Sequence, residues 1–427
     1  MLLSIGLMSG TSMDGVDAAL LQTDGEANIH ELGHCHLAYP SDFKVLLKVA
    51  ERAAHQTQGN QAEAAHVFPQ ALKAYLQEEL SWPTHLLQSE IQRLTMQASS
   101  LAAVIQQSTD WHARAVAQLL KITARSAAEI DVIGYHGQTL YHSPRQKISW
   151  QMGDGALLAK LTGIQVIDQF RQQDIQAGGE GAPFAPVYHF YLAKREGKIP
   201  AAVVNCGGIA NLTLIRDADL THVMGFDTGP GNGLIDALVK QRTQGIETMD
   251  RDGHYGQRGT INPGVLQALW DHAIVQSGQN YFKKCPPKSL DIRDLCLIPE
   301  LNALSLEDAC ATLEAWTALT IVQSLQSLGL NASLVPRYWI LAGGGWYNPV
   351  IRHTLESQLH ALYGKEIRVQ TADEMGWNSQ ALEAQIFAHF AVRSLKKLPL
   401  SLPGTTRVPT PLSGGTLHPK QENEAHV

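Results

Sequence analysis

The chain has 427 residues, 44% of them hydrophobic and 17% charged, and its 33 Lys+Arg against 40 Asp+Glu leave a net charge of −7. That length allows two or three domains, and that composition excludes a disordered or fibrous chain. With no basic cluster longer than Lys396-Lys397, the charge argues against nucleic-acid and anionic-membrane binding. No apolar run approaches the ~18 residues needed to cross a bilayer, and the start Met1-Leu2-Leu3-Ser4-Ile5-Gly6 lacks the basic end and long apolar core of a signal peptide. The five cysteines show no paired spacing, which points to a reducing compartment and a cytoplasmic protein.

The first element is a strand over Leu2 to Leu7, followed by Gly10-Thr11-Ser12-Met13-Asp14-Gly15-Val16-Asp17. Small residues let backbone N–H groups approach an anion, the two hydroxyls donate, and Asp14 suits a cation or its water. The plainer reading is a hairpin turn, since Asp-Gly is a strong hairpin signal. No Gly-Lys-Ser/Thr follows, so this is not a Walker A loop. Residues 56 to 106 are rich in Gln and Ala with helical periodicity, and predict helices that decorate a first lobe.

A strand at Asp131 to Gly134 leads into His136-Gly137-Gln138-Thr139 and then His142. The first, third and fourth of these suit recognition of substrate hydroxyl or amide groups, while a structural role is the default for His142. A metal site lacks further ligands nearby, and a G-x-S-x-G hydrolase elbow is absent. The strand Ile164 to Ile167 runs into Asp168, Arg171, Asp174 and the Gly178-Gly179-Glu180-Gly181 turn. Two carboxylates and an Arg at a strand end suit a catalytic loop, with either Asp as general base. An Asp168–Arg171 surface ion pair is the alternative, and spacing does not choose between them.

The second half repeats this rhythm. Strand Ala201 to Asn205 ends in Asn205-Cys206-Gly207-Gly208, and Gly225-Phe226-Asp227-Thr228-Gly229-Pro230-Gly231-Asn232 precedes a helix starting near Gly233. Such a glycine turn at a helix N-terminus suits phosphate, unless Asp227 merely caps the helix. Strand Tyr338 to Leu341 ends in Gly343-Gly344-Gly345, flat enough to receive an adenine face or to pack a helix tightly. Alternating strands, glycine turns and helices predict an α/β protein with mostly parallel central strands. The predicted division is a first lobe at 1–190, carrying a helical insertion at about 56–106, and a second lobe at 191–427 that includes the C-terminal tail, with the ligand cleft between them.

Taken in order, the segments 8–17 (MSGTSMDGVD), 133–139 (IGYHGQT), 151–159 (QMGDGALLA), 170–183 (FRQQDIQAGGEGAP), 205–213 (NCGGIANLT), 225–232 (GFDTGPGN), 286–289 (PPKS), 342–348 (AGGGWYN) and 382–388 (LEAQIFA) resemble the anhydro-N-acetylmuramic acid kinases. These belong to the actin-like, hexokinase-like ATPase superfamily, whose two-lobed fold the resemblance implies. It implies a kinase using ATP and Mg²⁺ that hydrolyses the 1,6-anhydro bridge of 1,6-anhydro-N-acetylmuramic acid and phosphorylates O6, in peptidoglycan recycling and amino-sugar catabolism. It also implies a cytoplasmic homodimer without nucleic-acid or membrane partners.

By the same resemblance Asp174 is the catalytic residue. ATP falls to Gly10 through Asp17, Asn205, Gly207, Gly208, Asp227, Gly229, Gly231, Gly343 and Gly344. Substrate falls to His136, Gln138, Thr139, Arg171 and Asp174, and Mg²⁺ to Asp14. The chain departs from the family at Leu290-Asp291-Ile292-Arg293-Asp294, where Thr-Gly-Arg-Glu often follows PPKS. The readings set against this kinase are a non-catalytic nucleotide switch on the same fold and a kinase for another sugar.

Overall fold

A computed structural model describes residues 1–10, 12–80, 83–273, 278–290, 294–330 and 334–420. The chain divides into two compact units, Ala185–Ser379 forming one, and Met1–Phe184 together with the chain from Gln380 onward forming the other. The chain passes from the first unit to the second between Phe184 and Ala185. The C-terminal segment, expected in the second lobe, belongs instead to the first unit.

The first unit opens with a meander of β1 (Leu2–Ser9), β2 (Gly15–Thr23) and β3 (Ile29–Ala38). Four helices follow, α1 (Ser41–Gln56), α2 (Gln61–Glu78), α3 (Thr84–Gln97) and α4 (Leu101–Ile122). Then come β4 (Val132–Ser143), β5 (Ile148–Met152), α5 (Gly155–Thr162), β6 (Val166–Asp168) and the short α6 (Gln172–Gln176). The stretch read as helical at 56–106 is thus α2 and α3 with their flanks. Its burial follows the helical period, with Ala64, Phe68, Ala71, Leu72 and Leu76 inward on α2.

The second unit holds α7 (Ala185–Arg195), β7 (Ala201–Cys206), β8 (Ile209–Ile215), β9 (Met224–Pro230), α8 (Gly233–Arg242), α9 (Pro263–Asp271), α10 (Leu306–Gln326), β10 (Tyr338–Ala342), α11 (Pro349–Tyr363) and β11 (Arg368–Thr371). The chain then returns to the first unit as α12 (Leu382–Leu395), α13 (Pro403–Thr406) and β12 (Thr416–His418), the last pairing antiparallel with β6.

Each unit carries one sheet of the same design. In the first, β1, β2 and β3 are antiparallel, β4 runs parallel to β1, and β6 runs parallel to β4. In the second, β7, β8 and β9 are antiparallel, β10 runs parallel to β7, and β11 parallel to β10. The strand orders β6-β4-β1-β2-β3 and β11-β10-β7-β8-β9 superpose as one repeated plan. This duplicated α/β plan is the actin-like, sugar-kinase fold expected from the sequence. It makes the β1–β2 and β7–β8 turns equivalent places, and each unit has its own apolar core.

Glycines set how closely α12 lies on the first sheet. Gly6 of β1 pairs with Gly134 of β4. A Cβ on Gly6 would stand 1.8 Å from the carbonyl oxygen of Ala384, and one on Gly134 would stand 2.0 Å from that of Phe387. Ser4 donates from the same strand to the carbonyl of Ala388 at 2.7 Å. The helix backbone therefore rests directly on strand backbone. Gly6→Ala should force α12 outward and cost about 2 kcal/mol, the usual scale for overpacking, read as a lowered urea midpoint at unchanged slope. An unchanged midpoint would show that the helix yields freely.

Candidate active site

The motif Gly10–Asp17 takes the hairpin form that its Asp-Gly allowed. It is a hairpin turn, with Met8 opposite Asp17 in the register, and its tip is polar. Thr11 lies outside the described residues. The N–H of Met13 donates to Gly10 at 3.0 Å, Ser12 Oγ donates to Asp14 Oδ1 at 2.8 Å, and Asp14 is exposed. The Met13 side chain is buried, with φ at 52°, so it anchors the tip from below. Gly15 and Val16 are buried at the start of β2. Asp17 accepts from His36 Nδ1 at 2.7 Å; burial raises its carboxyl above the ordinary range and the His36 bond opposes that rise. A cavity of about 360 Å³ lies here, lined by Asp14, Asp17, His34, His36, Gln380 and Ala381 among others.

Behind the hairpin Ser9 Oγ donates to Gln138 Oε1 at 2.6 Å, and Tyr39 OH donates to Ser9 at 3.2 Å. Gln138 is 0% exposed. Its carboxamide thus ties the end of β1 to β4. Thr139, half-buried, accepts from Gln151 Nε2 at 3.2 Å, and His142 bonds Ser149 Oγ at 2.9 Å.

Asp174 sits on α6, wholly surrounded at 2% exposure. Its Oδ1 accepts from the N–H of Gly181 at 2.6 Å, and its Oδ2 accepts from the hydroxyl of Thr406. The glycines of the following turn are needed for this. A Cβ on Gly179 would be 2.2 Å from Asp174 Oδ1, and Gly181 has φ at +67°. Arg171 heads the same loop but does not pair with Asp168. Its Nε and Nη2 lie 3.1 Å and 2.9 Å from His136 Nε2, and its Nη1 donates to Gly181 O at 2.7 Å.

The protonation of this group follows from its partners. His136 Nδ1 faces the Gly137 carbonyl at 2.9 Å. A carbonyl only accepts, so Nδ1 carries the proton and Nε2 offers its lone pair to Arg171. Burial and the neighbouring guanidinium hold His136 well below its ordinary range, hence neutral. Desolvation brings Arg171 down to about 10, opposed by Glu383 and Asp174, which still leaves it charged at neutral pH. Both ring nitrogens of His136 are occupied, so it orients Arg171 rather than facing outward.

Asp168, the other candidate base, is engaged elsewhere: His418 Nε2 lies 2.9 Å from its Oδ1, and β12 pairs alongside. Burial raises its carboxyl and the His418 bond opposes the rise. The geometry therefore separates two carboxylates that spacing left equivalent. Glu383, exposed at the start of α12 and within electrostatic reach of Asp17 and Arg171, was missed as a site residue. Its one signal was an acid in the mostly apolar segment 382–388. Thr406 was missed altogether.

In the second unit the glycine segments come together. The N–H of Gly231 donates to Gly208 O at 3.0 Å, and that of Asn232 to Gly207 O at 2.8 Å. A Cβ on Gly231 would be 2.0 Å from the Gly207 oxygen. The β7–β8 turn at Gly207-Gly208 holds the place equivalent to the first hairpin, while Gly225 to Pro230 lies in strand β9 and Gly231 at its exit. Asp227 does not cap α8. Its Oδ2 accepts from the N–H of Leu290 at 2.8 Å, while its own N–H donates to Lys288 O at 2.9 Å. Gly229 packs against Thr320, whose hydroxyl would be 2.7 Å from an added Cβ.

Two more features of this unit bear on binding. A Cβ added at Gly343, whose φ is +89°, would stand 2.5 Å from Asn205 Oδ1, while one at Gly344 would meet nothing within 4 Å. Gly343 therefore serves close packing, and Gly344 presents open backbone. Lys288, in the segment quoted at 286–289 without a role, is buried with its Nζ 4.5 Å over the Tyr281 ring. Burial pulls its ammonium down to about 8. The departure at 290–294 is described only at Leu290 and Asp294.

The chain matches the family model for anhydro-N-acetylmuramic acid kinase over residues 2–87 and 74–420. It is 38% identical over 418 residues to the anhydro-N-acetylmuramic acid kinase of Rhizorhabdus wittichii, covering 98% of this chain and 99% of that one. It is 38% identical over 416 residues to that of Rhodospirillum rubrum, covering 97% and 94%. Among solved structures, (R)-2-hydroxyglutaryl-CoA dehydratase component A of Acidaminococcus fermentans aligns at TM-score 0.43 and 11% identity, over 93% of this chain and all of that one. With family and relatives matched over nearly the whole chain, the protein belongs to the anhydro-N-acetylmuramic acid kinase family.

Proposed function

We propose that this kinase uses ATP and water to convert 1,6-anhydro-N-acetylmuramic acid to N-acetylmuramic acid 6-phosphate and ADP, in peptidoglycan recycling and amino-sugar catabolism. The observation that carries the reading is the Asp174 carboxylate, gripped through both oxygens on a loop with a charged Arg171. A nucleotide switch has no use for a carboxylate so oriented.

In the proposed reaction Asp174 takes a proton from water as the water oxygen bonds to C1. The C1–O6 bond breaks, O6 bonds to the γ-phosphorus, and the bond from phosphorus to the ADP oxygen breaks. Ordinary glycoside hydrolysis needs an acid to protonate the leaving oxygen; here phosphorylation captures that oxygen, so one carboxylate suffices. Arg171, with its charge intact and its plane fixed by His136, offsets negative charge near the reacting groups.

The hairpin tip at Gly10 to Asp14 and the β7–β8 turn at Gly207-Gly208 are suited to phosphate, the Gly231 N–H holding the second turn through Gly208 O, and the open backbone at Gly344 is suited to the adenosine. Mg²⁺ on a nucleotide keeps several waters and needs only one or two carboxylates, which fits the exposed Asp14. Bound there it would spread charge over the phosphates. Among the described residues, no group of three or more His, Cys, Asp or Glu is placed to hold a metal by itself. No helix among the described residues is long and apolar enough to cross a membrane. A cytoplasmic homodimer is the proposed working form.

Incubation with ATP, Mg²⁺ and the anhydro-sugar in ¹⁸O-water, followed by mass spectrometry, tests the reading. The expected product is a sugar phosphate with one ¹⁸O, at the anomeric carbon. Label in the phosphoryl group, or a phosphorylated sugar whose bridge is intact, would overturn it.

A further inference from the structure

The tail after α12 makes a series of specific bonds to the loop that carries Asp174. The Thr406 carbonyl accepts from the N–H of Glu180 at 2.6 Å, while its hydroxyl donates to Asp174 Oδ2 at 2.5 Å. Arg407 Nη1 lies 3.2 Å from Glu180 Oε1. The N–H of Gly415 donates to Gln173 Oε1 at 2.7 Å, and His418 Nε2 meets Asp168 Oδ1 at 2.9 Å. The loop 168–181 is thus held along its length by residues 406–418.

Thr406 differs from the other contacts because it reaches the reacting carboxylate. The hydroxyl is the donor of this bond and the carboxylate oxygen its acceptor. Thr406 is itself fixed, fully buried, with its N–H on Leu402 O at 3.1 Å and its carbonyl on Glu180. One fixed donor on each oxygen sets the rotation of the carboxylate and leaves the remaining lone pairs in defined directions. A general base must present one of those lone pairs to a water within about 2.6–3.2 Å, and misorientation lowers the rate without changing binding.

We propose that Thr406 is a positioning residue for Asp174, and that the C-terminal strap 403–418 is part of the catalytic apparatus and not a surface tail. The proposal rests on Asp174 being the base, and the test separates the two.

The test uses the full chain with Thr406→Val, Thr406→Ala, Thr406→Ser, Asp174→Asn and the Thr406→Val/Asp174→Asn double variant. Val keeps the shape and removes the donor, Ala removes it without added bulk should Val not fold, and Ser restores it. Thr406→Val and Thr406→Ala should lower kcat about 10- to 100-fold, as loss of a hydrogen bond to a charged group does. KM for ATP and sugar should stay within about twofold. Ser should recover most of the loss, and the Val change should cost nothing further on the Asp174→Asn background. Wild-type kcat in Thr406→Val and Thr406→Ala beside an inactive Asp174→Asn would overturn the proposal, as would a Ser variant as slow as Val. An active Asp174→Asn would instead remove the base on which the proposal rests.

Discussion

Asp174→Asn should leave a folded protein that binds nucleotide and turns over about a thousandfold more slowly. The substitution is close to isosteric. Its amide oxygen can still accept from the N–H of Gly181, and the Thr406 hydroxyl, which donates to the carboxylate, can rotate to accept from the new NH₂. The packing of α6 is therefore preserved, and what is lost is the ability to take a proton. General-base catalysis contributes on the order of 10²–10⁴-fold, which sets the scale. The measurement is ADP release with both substrates saturating, beside a thermal melt and a nucleotide titration. A thermal midpoint and nucleotide affinity like those of the wild type, with kcat reduced, is the expected set. Turnover within about tenfold of wild type would mean that another group activates the water.

Comparison of the two carboxylates in that loop shows what the sequence could and could not reveal. Strands, glycine turns and helices were legible because each has a local cause. Apolar runs make strands, periodic apolar residues place α2 and α4, and glycines stand where φ is positive or backbones nearly touch, as at Gly181 and Gly231. The repeated plan was also visible as two halves with matching turns. What was not legible depends on contacts between distant residues. Asp168 is engaged by His418 from 250 positions away, and the hydroxyl that grips Asp174 comes from 232 positions away. No window of sequence contains both partners. The return of the tail to the first unit escaped for the same reason, since β12 is three residues long and acquires meaning only from its register with β6. The alternative Asp168–Arg171 pair does not form because His136 offers Arg171 a lone pair, and a neutral histidine acting as acceptor leaves no trace in composition. His136 and Gln138 were expected to face substrate; the bonds they make run instead to Arg171, to the Gly137 carbonyl and to Ser9.

In the second unit, stability should fall as pH rises, and one side chain should account for much of the slope. Glu314 on α10 is 0% exposed, and Asn348, just after the open glycines, donates to its Oε1 at 2.6 Å. The Asp250 carboxylate faces it and is already held by the N–H groups of Tyr255 and Gly256, both at 2.9 Å. Burial first, and then Asp250, push the Glu314 carboxyl up to about 9 from 4.5. Gly256 makes the approach possible, for a Cβ there would stand 1.7 Å from Glu314 Oε2. The folded pKa lies above the unfolded one. The contribution is therefore complete below about pH 4.5 and is lost as pH rises towards 9, at up to about 1.4 kcal/mol per pH unit. Glu314→Gln keeps an acceptor for Asn348 and supplies a permanent donor towards Asp250, so it does in amide form what the protonated acid does. Urea unfolding from pH 5 to 9 should show the wild type losing stability and the variant nearly level, with the variant ahead by on the order of 2–4 kcal/mol at pH 8. Equal slopes in the two proteins would place the Glu314 proton elsewhere.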